Sequence, residues 1–298
     1  MKIGLPRSLF YYYYSDKWKF FLESLNIPYI ESPNTTNDIL LKGENASQDE
    51  MCLAFKIYLG HIKYLKDKCT HILVPRIANY NSNSQTCTNF LSAYDIINSW
   101  ENVRIINYNI DLENKETEKK AFLEIGKALN KTKVEINKAY KIALYKEKIK
   151  KEKDIKINLK KLESEKSKIL LVSHPYNTYD NLIGKPIIKY LKENNIEVIY
   201  SDKFPKNASK LSKKISKELY FKSSKENLGA LAYSMNKIDG IIFLSAFPCA
   251  LDALANELAM RKIKKPNINI YIDEQTSFTG IETRLESFID MLKGVKYA

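Results

Sequence analysis

Short β-rich runs alternate with helical patterns along this chain, and the alternation occurs twice. Strands are expected at residues 3–5, 28–30, 71–74 and 103–106, and again at 169–173, 198–200, 240–245 and 268–272. Helical periodicity fills most of the intervals between these runs. This order predicts parallel sheets with helices on both faces. We therefore expect an α/β fold of two doubly wound parallel-sheet domains that face each other, with ligands at the carboxyl ends of the strands.

Length and charge divide the chain into three segments. A chain of 298 residues is long enough for two domains, which we place at residues 1–112 and 168–298. Between them, residues 113–167 form a Lys-rich segment with 17 Lys against 9 Glu and 1 Asp. Apolar residues at helical spacing over 117–151 predict one long helix that joins the two domains, followed by a charged linker.

The net charge of +13 would ordinarily suggest nucleic acid as a partner. About half of this excess lies in the Lys-rich segment, which has few aromatic residues for stacking on bases. The segment therefore reads as a solvated helix, and binding to nucleic acid is not expected.

Several function classes are excluded by the absence of their sequence signals. Apolar runs such as residues 241–249 are far shorter than the roughly 20 residues that span a bilayer, and residues 1–7 lack the apolar stretch of a secretory signal. We therefore expect a cytoplasmic protein with reduced thiols and no membrane contact. The glycines are too far apart for a GxGxxG or Walker loop, so any ATP-driven step is expected to come from a partner.

Three of the four cysteines lie near predicted helix starts. Cys52 falls in the first turn of a helix expected over 50–66, Cys87 just before one at 89–100, and Cys249 between a strand and a helix at 251–261. The positive end of a helix dipole favours the thiolate that binds metal. Cys69 ends a helix and is expected to be a core residue. Spacing alone leaves three alternatives open for the other cysteines: buried core thiols, a zinc site or an iron–sulfur site.

An ordered series of motifs accompanies these cysteines from one terminus to the other. The motifs are Ile3-Gly4-Leu5-Pro6-Arg7, Asp49-Glu50-Met51-Cys52-Leu53, Val74-Pro75-Arg76, Cys87 with Phe90, His174-Pro175-Tyr176-Asn177, Phe247-Pro248-Cys249 with Asp252, and Asp273-Glu274-Gln275-Thr276. This series resembles the acyl-CoA dehydratase activase-related family, which is akin to the 2-hydroxyacyl-CoA dehydratase subunits and the double-cubane cluster proteins.

The resemblance implies one [4Fe-4S] cluster held by Cys52, Cys87 and Cys249 between two Rossmann-like domains. Its function would be low-potential electron transfer or dehydratase-like reduction of a 2-hydroxyacyl-CoA. The implied partners are an ATP-hydrolysing iron–sulfur activator protein and an acyl-CoA substrate. Whether the chain is itself an enzyme, a lyase or an ATP-dependent reductase component, and whether it forms a homodimer, stay open.

The chain departs from the family pattern beside two of the implied ligands. The family often has Cys-Pro-Lys where this chain has Cys87-Thr88-Asn89, and Cys-Gly-Pro-Asp where it has Cys249-Ala250-Leu251-Asp252. These changes put the substrate in doubt. The alternatives are a non-catalytic accessory that stores, delivers or senses a cluster or scaffolds an activator–dehydratase system, and a zinc or metal-free binding module.

Five further residues are candidates for the same crevice. Glu50 is a candidate proton donor or ligand whose pKa burial would raise, or else a carboxylate stabilised by a helix N-terminus. His174 is a candidate for proton transfer or a structural histidine. Glu274 follows the last strand, with Arg284 as an expected partner. Arg7 and Arg76 follow prolines at strand ends, where they would hold the cluster or a CoA phosphate, or form an ion pair between the domains.

Overall fold

The computed structural model describes residues 1–81 and 84–297. The chain forms two compact units: unit 1 comprises Met1–Lys151 and Tyr220–Lys222, and unit 2 comprises Glu152–Leu219 and Ser223–Ala298. Each unit contains one four-stranded, entirely parallel sheet with flanking helices, so the predicted α/β class is confirmed. None of the described helices is both long and apolar enough to cross a membrane. The domain limits 1–112 and 168–298 stay a prediction.

Unit 1 has the strand order β2-β1-β3-β4. Its elements are β1 (Ile3–Leu5), α1 (Tyr11–Ser24), β2 (Tyr29–Glu31), α2 (Asn37–Glu44), α3 (Leu53–Leu65), β3 (His71–Asn79), α4 (Thr88–Asn98), β4 (Ile105–Asp111), α5 (Glu118–Ala128) and the part of α6 (Lys133–Lys161) up to Lys151. In the register of the sheet, Ile3 lies between Tyr29 and His71. The central strand β1 is buried throughout.

Unit 2 repeats this layout with the order β6-β5-β7-β8. Its elements are β5 (Lys168–Val172), α7 (Pro175–Thr178), α8 (Gly184–Glu193), β6 (Glu197–Tyr200), a 3-10 helix (Lys206–Lys214), α9 (Lys222–Ser234), β7 (Gly240–Ala246), α10 (Ala250–Met260), β8 (Asn267–Ile272) and α11 (Phe278–Tyr297). Every residue of β7 is buried, as expected for an interior strand covered on both faces.

The strand order fixes where each unit can hold a ligand. The chain runs from the first strand to one neighbour and then crosses to the other side of the first strand to form the third. The connections that follow the first and third strands therefore diverge and leave a crevice at the carboxyl edge of the sheet. These connections begin at Pro6 and Tyr80 in unit 1, and at Ser173 and Phe247 in unit 2.

The prediction of a single helix over 117–151 is wrong, because one helix ends with α5 and a second begins with α6. Asn130 adopts a positive φ of 57°, and the amide of Lys131 donates to the carbonyl of Gly126. Together they form a Schellman motif, which ends α5. Thr132 and Glu135 then exchange backbone and side-chain hydrogen bonds and form a capping box. Helix α6 continues to Lys161, through residues expected to be a linker.

Buried charges attach the middle of α6 to α1 and α5. The side chain of Lys17 on α1 is only 7% exposed, and its Nζ lies 2.6 Å from Oε1 of Glu118 and 3.1 Å from Oε2 of Glu147 on α6. The hydroxyl of Tyr108 donates to the same Glu118 oxygen over 2.7 Å. Because the partners on three helices and a strand compensate one another, the cost of burying each charge is offset.

Helices α2 and α3 pack at unusually close range through two glycines. A Cβ atom added at Gly60 would lie 2.0 Å from the carbonyl oxygen of Ile39, and one at Gly43 would lie 1.9 Å from that of Lys56. Only residues without a side chain permit this approach of the two backbones. The contact fixes the position of α3 and therefore of its N-terminal residue, Cys52.

We predict that Gly60→Ala lowers the free energy of unfolding by about 1–3 kcal/mol or more, because the new methyl group meets backbone that cannot move aside. Urea unfolding measures the change. The matched control is Gly280→Ala in α11, where nothing lies within 4 Å of the added atom, so stability should rise by roughly 0.5–1 kcal/mol. Equal effects of the two substitutions would contradict the close packing.

His61 on α3 is completely buried in unit 1. Its Nε2 lies 3.1 Å from Oγ1 of Thr35, and its Nδ1 has no hydrogen-bond partner among the described residues. Burial, with a smaller contribution from the nearby charge of Arg7, lowers the pKa of the imidazole from 6.5 to about 3. The folded protein therefore keeps His61 neutral under conditions in which the unfolded chain binds a proton.

This difference predicts that the protein loses stability as pH falls below about 6.5, since only the unfolded state gains the proton. At pH 5 the loss attributable to His61 is about 2 kcal/mol. Urea unfolding of the unmodified protein and of His61→Gln at pH 7 and pH 5 isolates this contribution, because the variant lacks it. The prediction fails if both proteins lose the same free energy between the two pH values.

Candidate functional site

Two of the predicted ligands begin neighbouring helices of unit 1. Cys52 is the N-cap of α3 and Cys87 is the N-cap of α4, both with extended backbone. The helix that contains Cys52 in the sequence prediction actually starts at Leu53. The side-chain amide of Asn89 on α4 donates to Sγ of Cys52 over 3.5 Å. This contact brings the starts of α3 and α4, and with them the two thiols, to one region of unit 1.

Aromatic rings pack beside this pair of helix starts. Phe90, three residues after Cys87, packs on Phe10 with ring centroids 4.5 Å apart. Phe10 also contacts Tyr58 of α3 edge to face at 6.2 Å. Phe10 and Tyr58 are fully buried, so Phe90 in the first turn of α4 rests on an apolar wall that also includes α3.

The third predicted ligand begins a helix of unit 2. Cys249 is the N-cap of α10, three residues after β7 ends. In the first turn of the same helix, Oδ1 of Asp252 lies 2.9 Å from Nε2 of His174, which is the N-cap of α7 after β5. The His174 ring stacks on Tyr176 at 4.7 Å. The pair of His174 and Asp252 thus joins the two connections that border the crevice of unit 2.

Three polar atoms in this part of unit 2 are buried without a hydrogen-bond partner among the described residues. They are Oδ2 of Asp252 and both side-chain amide atoms, Nδ2 and Oδ1, of Asn177. Asn177 is completely buried, and Asp252 is 7% exposed. Leaving such groups unpaired costs folding free energy. Buried polar groups left unpaired in this way occur most often at functional sites, so Asn177 and Asp252 are candidates for contact with a bound group.

Cys69 differs from the other three cysteines in position and chemistry. It lies between the end of α3 and β3, and its thiol donates to the carbonyl of Leu65 over 3.2 Å. Burial raises the pKa of the Cys69 thiol, which disfavours the thiolate that metals require. Its sulfur also fills the space beside Gly4. Cys69 is nevertheless half-buried, like the other three cysteines, so it lies at the edge of the core and not inside it as expected.

The remaining three thiols have the donor chemistry of an iron–sulfur site. Each of Cys52, Cys87 and Cys249 precedes a helix of at least eleven residues, so the helix dipole favours its thiolate. Soft thiolates are also the ligands that iron–sulfur clusters select. Over residues 1–81 and 84–297, however, the structure has no group of three or more His, Cys, Asp or Glu side chains arranged to hold a metal ion.

The two predicted cofactor-binding arginines make contacts inside unit 1. Arg7 donates from Nε to the carbonyl of Ser32 over 3.1 Å and pairs with Glu31 at 3.3 Å. Its expected ion pair is therefore local to the unit. Arg76 is not at a strand end, because the strand predicted at 71–74 extends to Asn79.

Arg76 instead lies within β3 and faces its neighbouring strand. Its Nη1 lies 3.5 Å from Oδ1 of Asn109, and its Nε lies 3.8 Å from Oδ2 of Asp95. Strand β1 pairs with only two residues of β3, His71 and Ile72. Beyond them β3 has one partner strand, and a strand with one free edge tolerates the proline that precedes Arg76.

The two predicted carboxylates lie in turns at helix and strand ends. Glu50 is exposed in the turn before Cys52, so the expectation that it is buried is wrong. Glu274 is half-buried in the turn after β8. Its expected partner, Arg284, donates to the carbonyl of Asn269 over 2.7 Å instead. Glu274 lies at the carboxyl edge of the sheet of unit 2, and Glu50 lies beside the start of α3.

Three site residues have no role in the sequence prediction: Asn89, Asn177 and Asp252. Asn177 and Asp252 belong to motifs that carry the family resemblance. The sequence therefore indicated their positions but not that they are buried. Asn89 belongs to the stretch in which the chain departs from the family pattern beside Cys87, but its contact with Cys52 gave no signal in the sequence. A side chain that donates to a sulfur on another helix cannot be recognised from spacing within its own helix.

Comparison with known proteins gives one family match. The family model described as "CoA enzyme activase uncharacterised domain" matches residues 2–204. A solved structure titled as a sugar transporter from Clostridium phytofermentans is 13% identical, covering 98% of this chain and 93% of that chain, with a TM-score of 0.21. A search of curated proteins finds no match.

We predict that Asn177→Leu raises the free energy of unfolding by about 1–3 kcal/mol, because a hydrocarbon of similar shape replaces an amide that is buried without partners. The matched control is Asn227→Leu in α9, where the amide oxygen accepts from Ser201 over 2.8 Å. That substitution should lower stability by a similar amount. Urea unfolding measures both. A loss of stability in Asn177→Leu would show that its amide is satisfied in the folded protein.

Proposed function

This chain belongs to the CoA enzyme activase family of uncharacterised domains, and from this premise we propose that it is an iron–sulfur protein. In this proposal Cys52, Cys87 and Cys249 bind one [4Fe-4S] cluster. The cluster serves low-potential electron transfer or 2-hydroxyacyl-CoA dehydratase-like reduction. Two cysteines come from unit 1 and one from unit 2.

The observation that supports the proposal is the shared position of the three cysteines. Each is the N-cap of a helix next to the carboxyl edge of a parallel sheet. The fourth cysteine, Cys69, lies at the opposite end of a helix with a raised pKa. A role in packing alone does not explain why three cysteines lie at helix starts and the fourth at a helix end. Thiolate binding gives the three positions one common cause.

When bound, a cluster of this kind supplies a site for one-electron transfer whose potential depends on its surroundings. The protein contributes the thiolates, an apolar wall of Phe10, Phe90 and Tyr58, and groups that hold protons. Nε2 of His174 lies within hydrogen-bond distance, 2.9 Å, of Oδ1 of Asp252. Glu50 and Glu274 are carboxylates that accept or donate protons from exposed and half-buried positions.

The proposed function requires an electron donor and a substrate. The chain has no phosphate-binding glycine loop, so a separate ATP-hydrolysing iron–sulfur activator would supply the electron. The substrate class is an acyl-CoA, in particular a 2-hydroxyacyl-CoA, and the proposed location is the cytoplasm. A homodimer belongs to the same proposal and would be detected by sedimentation of the purified protein.

A second candidate function is a non-catalytic accessory that stores, delivers or senses a cluster. It is favoured by the contacts of Arg7 and Arg76, which are both engaged with acidic or polar groups of unit 1. Arginines committed in this way are less suited to grip a CoA phosphate. Turnover of a 2-hydroxyacyl-CoA in the presence of an activator and ATP distinguishes the enzyme from the accessory.

We predict that Cys52→Ala, Cys87→Ala and Cys249→Ala each reduce bound iron at least about tenfold, since loss of a ligand exceeds the effect of losing a supporting group. Iron and sulfide per chain, measured after anaerobic reconstitution, give the result. Cys69→Ala is the control and should retain the iron of the unmodified protein. If Cys69→Ala also loses its iron, or if any of the other three keeps it, the ligand set is wrong.

A further inference from the structure

A group of exposed lysines lies in unit 2, in and just after its 3-10 helix (Lys206–Lys214). We call residues 206–217 the lysine segment, and its five lysines are Lys206, Lys210, Lys213, Lys214 and Lys217. The segment contains no Asp or Glu. Among the residues that the structure describes, no carboxylate forms an ion pair with any of these five lysines. The segment therefore presents uncompensated positive charge.

Lysines on other surface helices commonly pair with an acid along the same helix. Lys127 lies 2.9 Å from Glu124, and Lys151 lies 2.7 Å from Glu147. In the lysine segment the neighbours have the same sign instead. Side chains three residues apart in a 3-10 helix lie above one another, which places Lys210 beside Lys213. Because like charges at this spacing repel, the arrangement is unfavourable until an anionic group lies against it.

The backbone of the lysine segment is packed against the rest of unit 2. Ala208, Ser212 and Ile215 are buried. A Cβ atom added at Gly229 in α9 would lie 2.5 Å from the carbonyl oxygen of Ala208, so the two backbones are in close contact. The ammonium group of Lys262 donates to the carbonyl of Ile215 and adds another positive charge. The lysines thus extend from a packed element of the fold.

The composition of the segment favours one class of anionic partner. The segment has no aromatic residue to stack on a base and no Arg for bidentate contact with phosphate, which disfavours nucleic acid. Ala208 and Ile215 are buried and Leu211 is half-buried, so the segment lacks the exposed apolar face with which a helix enters a membrane surface.

The length of the segment disfavours a small anion. A nine-residue 3-10 helix is roughly 18 Å long, so a single phosphate group would contact only a part of it. Carboxylates spread over the surface of an acidic protein match both the length and the charge. Such pairing needs no aromatic, guanidinium or apolar group, and the segment offers none.

We propose that the lysine segment is a docking surface for an acidic protein, whose Asp and Glu side chains pair with its lysines. Complementary charges of this kind increase the rate of encounter and select the partner, and salt screens them. The inference goes beyond the proposed function. It depends on neither the cysteines nor any group that they bind, so each of the two proposals can fail without the other.

The test compares two triple variants of the full-length protein. The segment variant is Lys210→Glu/Lys213→Glu/Lys214→Glu. The control variant is Lys138→Glu/Lys141→Glu/Lys156→Glu, which changes exposed lysines of α6. Each substitution changes the charge by two, so both variants have a net charge of +7 instead of +13. All six side chains are exposed, so both variants should unfold at the urea concentration that unfolds the unmodified protein.

The probe is a labelled helical peptide with Glu along one face, and a peptide with Gln at the same positions is its control. Fluorescence anisotropy measures binding at about 0.01 M and about 0.15 M salt. At low salt we expect the segment variant to bind the Glu peptide at least about tenfold more weakly than the control variant does. The control variant should bind it within about twofold of the unmodified protein. Binding of the Glu peptide should weaken at the higher salt concentration.

Triple Lys→Gln versions of both variants repeat the comparison with charges removed instead of reversed, and should show the same order with a smaller effect. Equal affinity of the segment and control variants for the Glu peptide would overturn the docking surface. Equal binding of the Glu and Gln peptides would overturn the role of charge. Tighter binding of a DNA duplex or of phosphatidylserine vesicles than of the Glu peptide, lost in the segment variant, would overturn the assignment to a protein partner.

Discussion

The pairing of the first strand of each sheet with the third, β1 with β3 and β5 with β7, decides where the candidate residues lie. Because the second strand occupies the other side of the first, the connections after the paired strands separate at the carboxyl edge. Cys87 and Cys249 follow the third strands of their sheets, and Arg7 and His174 follow the first. The backbone hydrogen bonds of two short parallel sheets thus place residues far apart in sequence at equivalent edges.

Three cysteines lie at helix starts beside this edge. Cys52, Cys87 and Cys249 each occupy an N-cap, where Ser, Thr, Asp or Asn would stabilise the helix more effectively. Unit 2 adds a carboxylate oxygen of Asp252 and the whole amide of Asn177, buried without partners in the described part of the chain. In both units, therefore, some positions at the carboxyl edge of the sheet hold side chains that contribute less to stability than others could. The proposed binding role predicts this pattern.

Much of the fold could be predicted because strands and helices alternate with clear periodicity. All eight predicted strands overlap an observed strand. Two extend well beyond their predicted ends: β3 continues through Pro75 to Asn79, where only one strand pairs with it, and β4, expected at 103–106, spans Ile105–Asp111. The break between α5 and α6 had a readable signal in Asn130 and the Thr132 to Glu135 box, which the apolar periodicity of the segment obscured. Side-chain partners across elements, such as Glu31 for Arg7 and Asn89 for Cys52, depend on tertiary packing and had no signal in the sequence.

Iron and acid-labile sulfide per chain, measured together with the visible spectrum after anaerobic purification, test the central claim most directly. The account predicts about four iron and four sulfide per chain and a brown protein whose colour is bleached by a strong reductant. A colourless protein that takes up no iron during anaerobic reconstitution would contradict it. The α/β fold and the family would then stand, and the three helix-start cysteines would need another explanation.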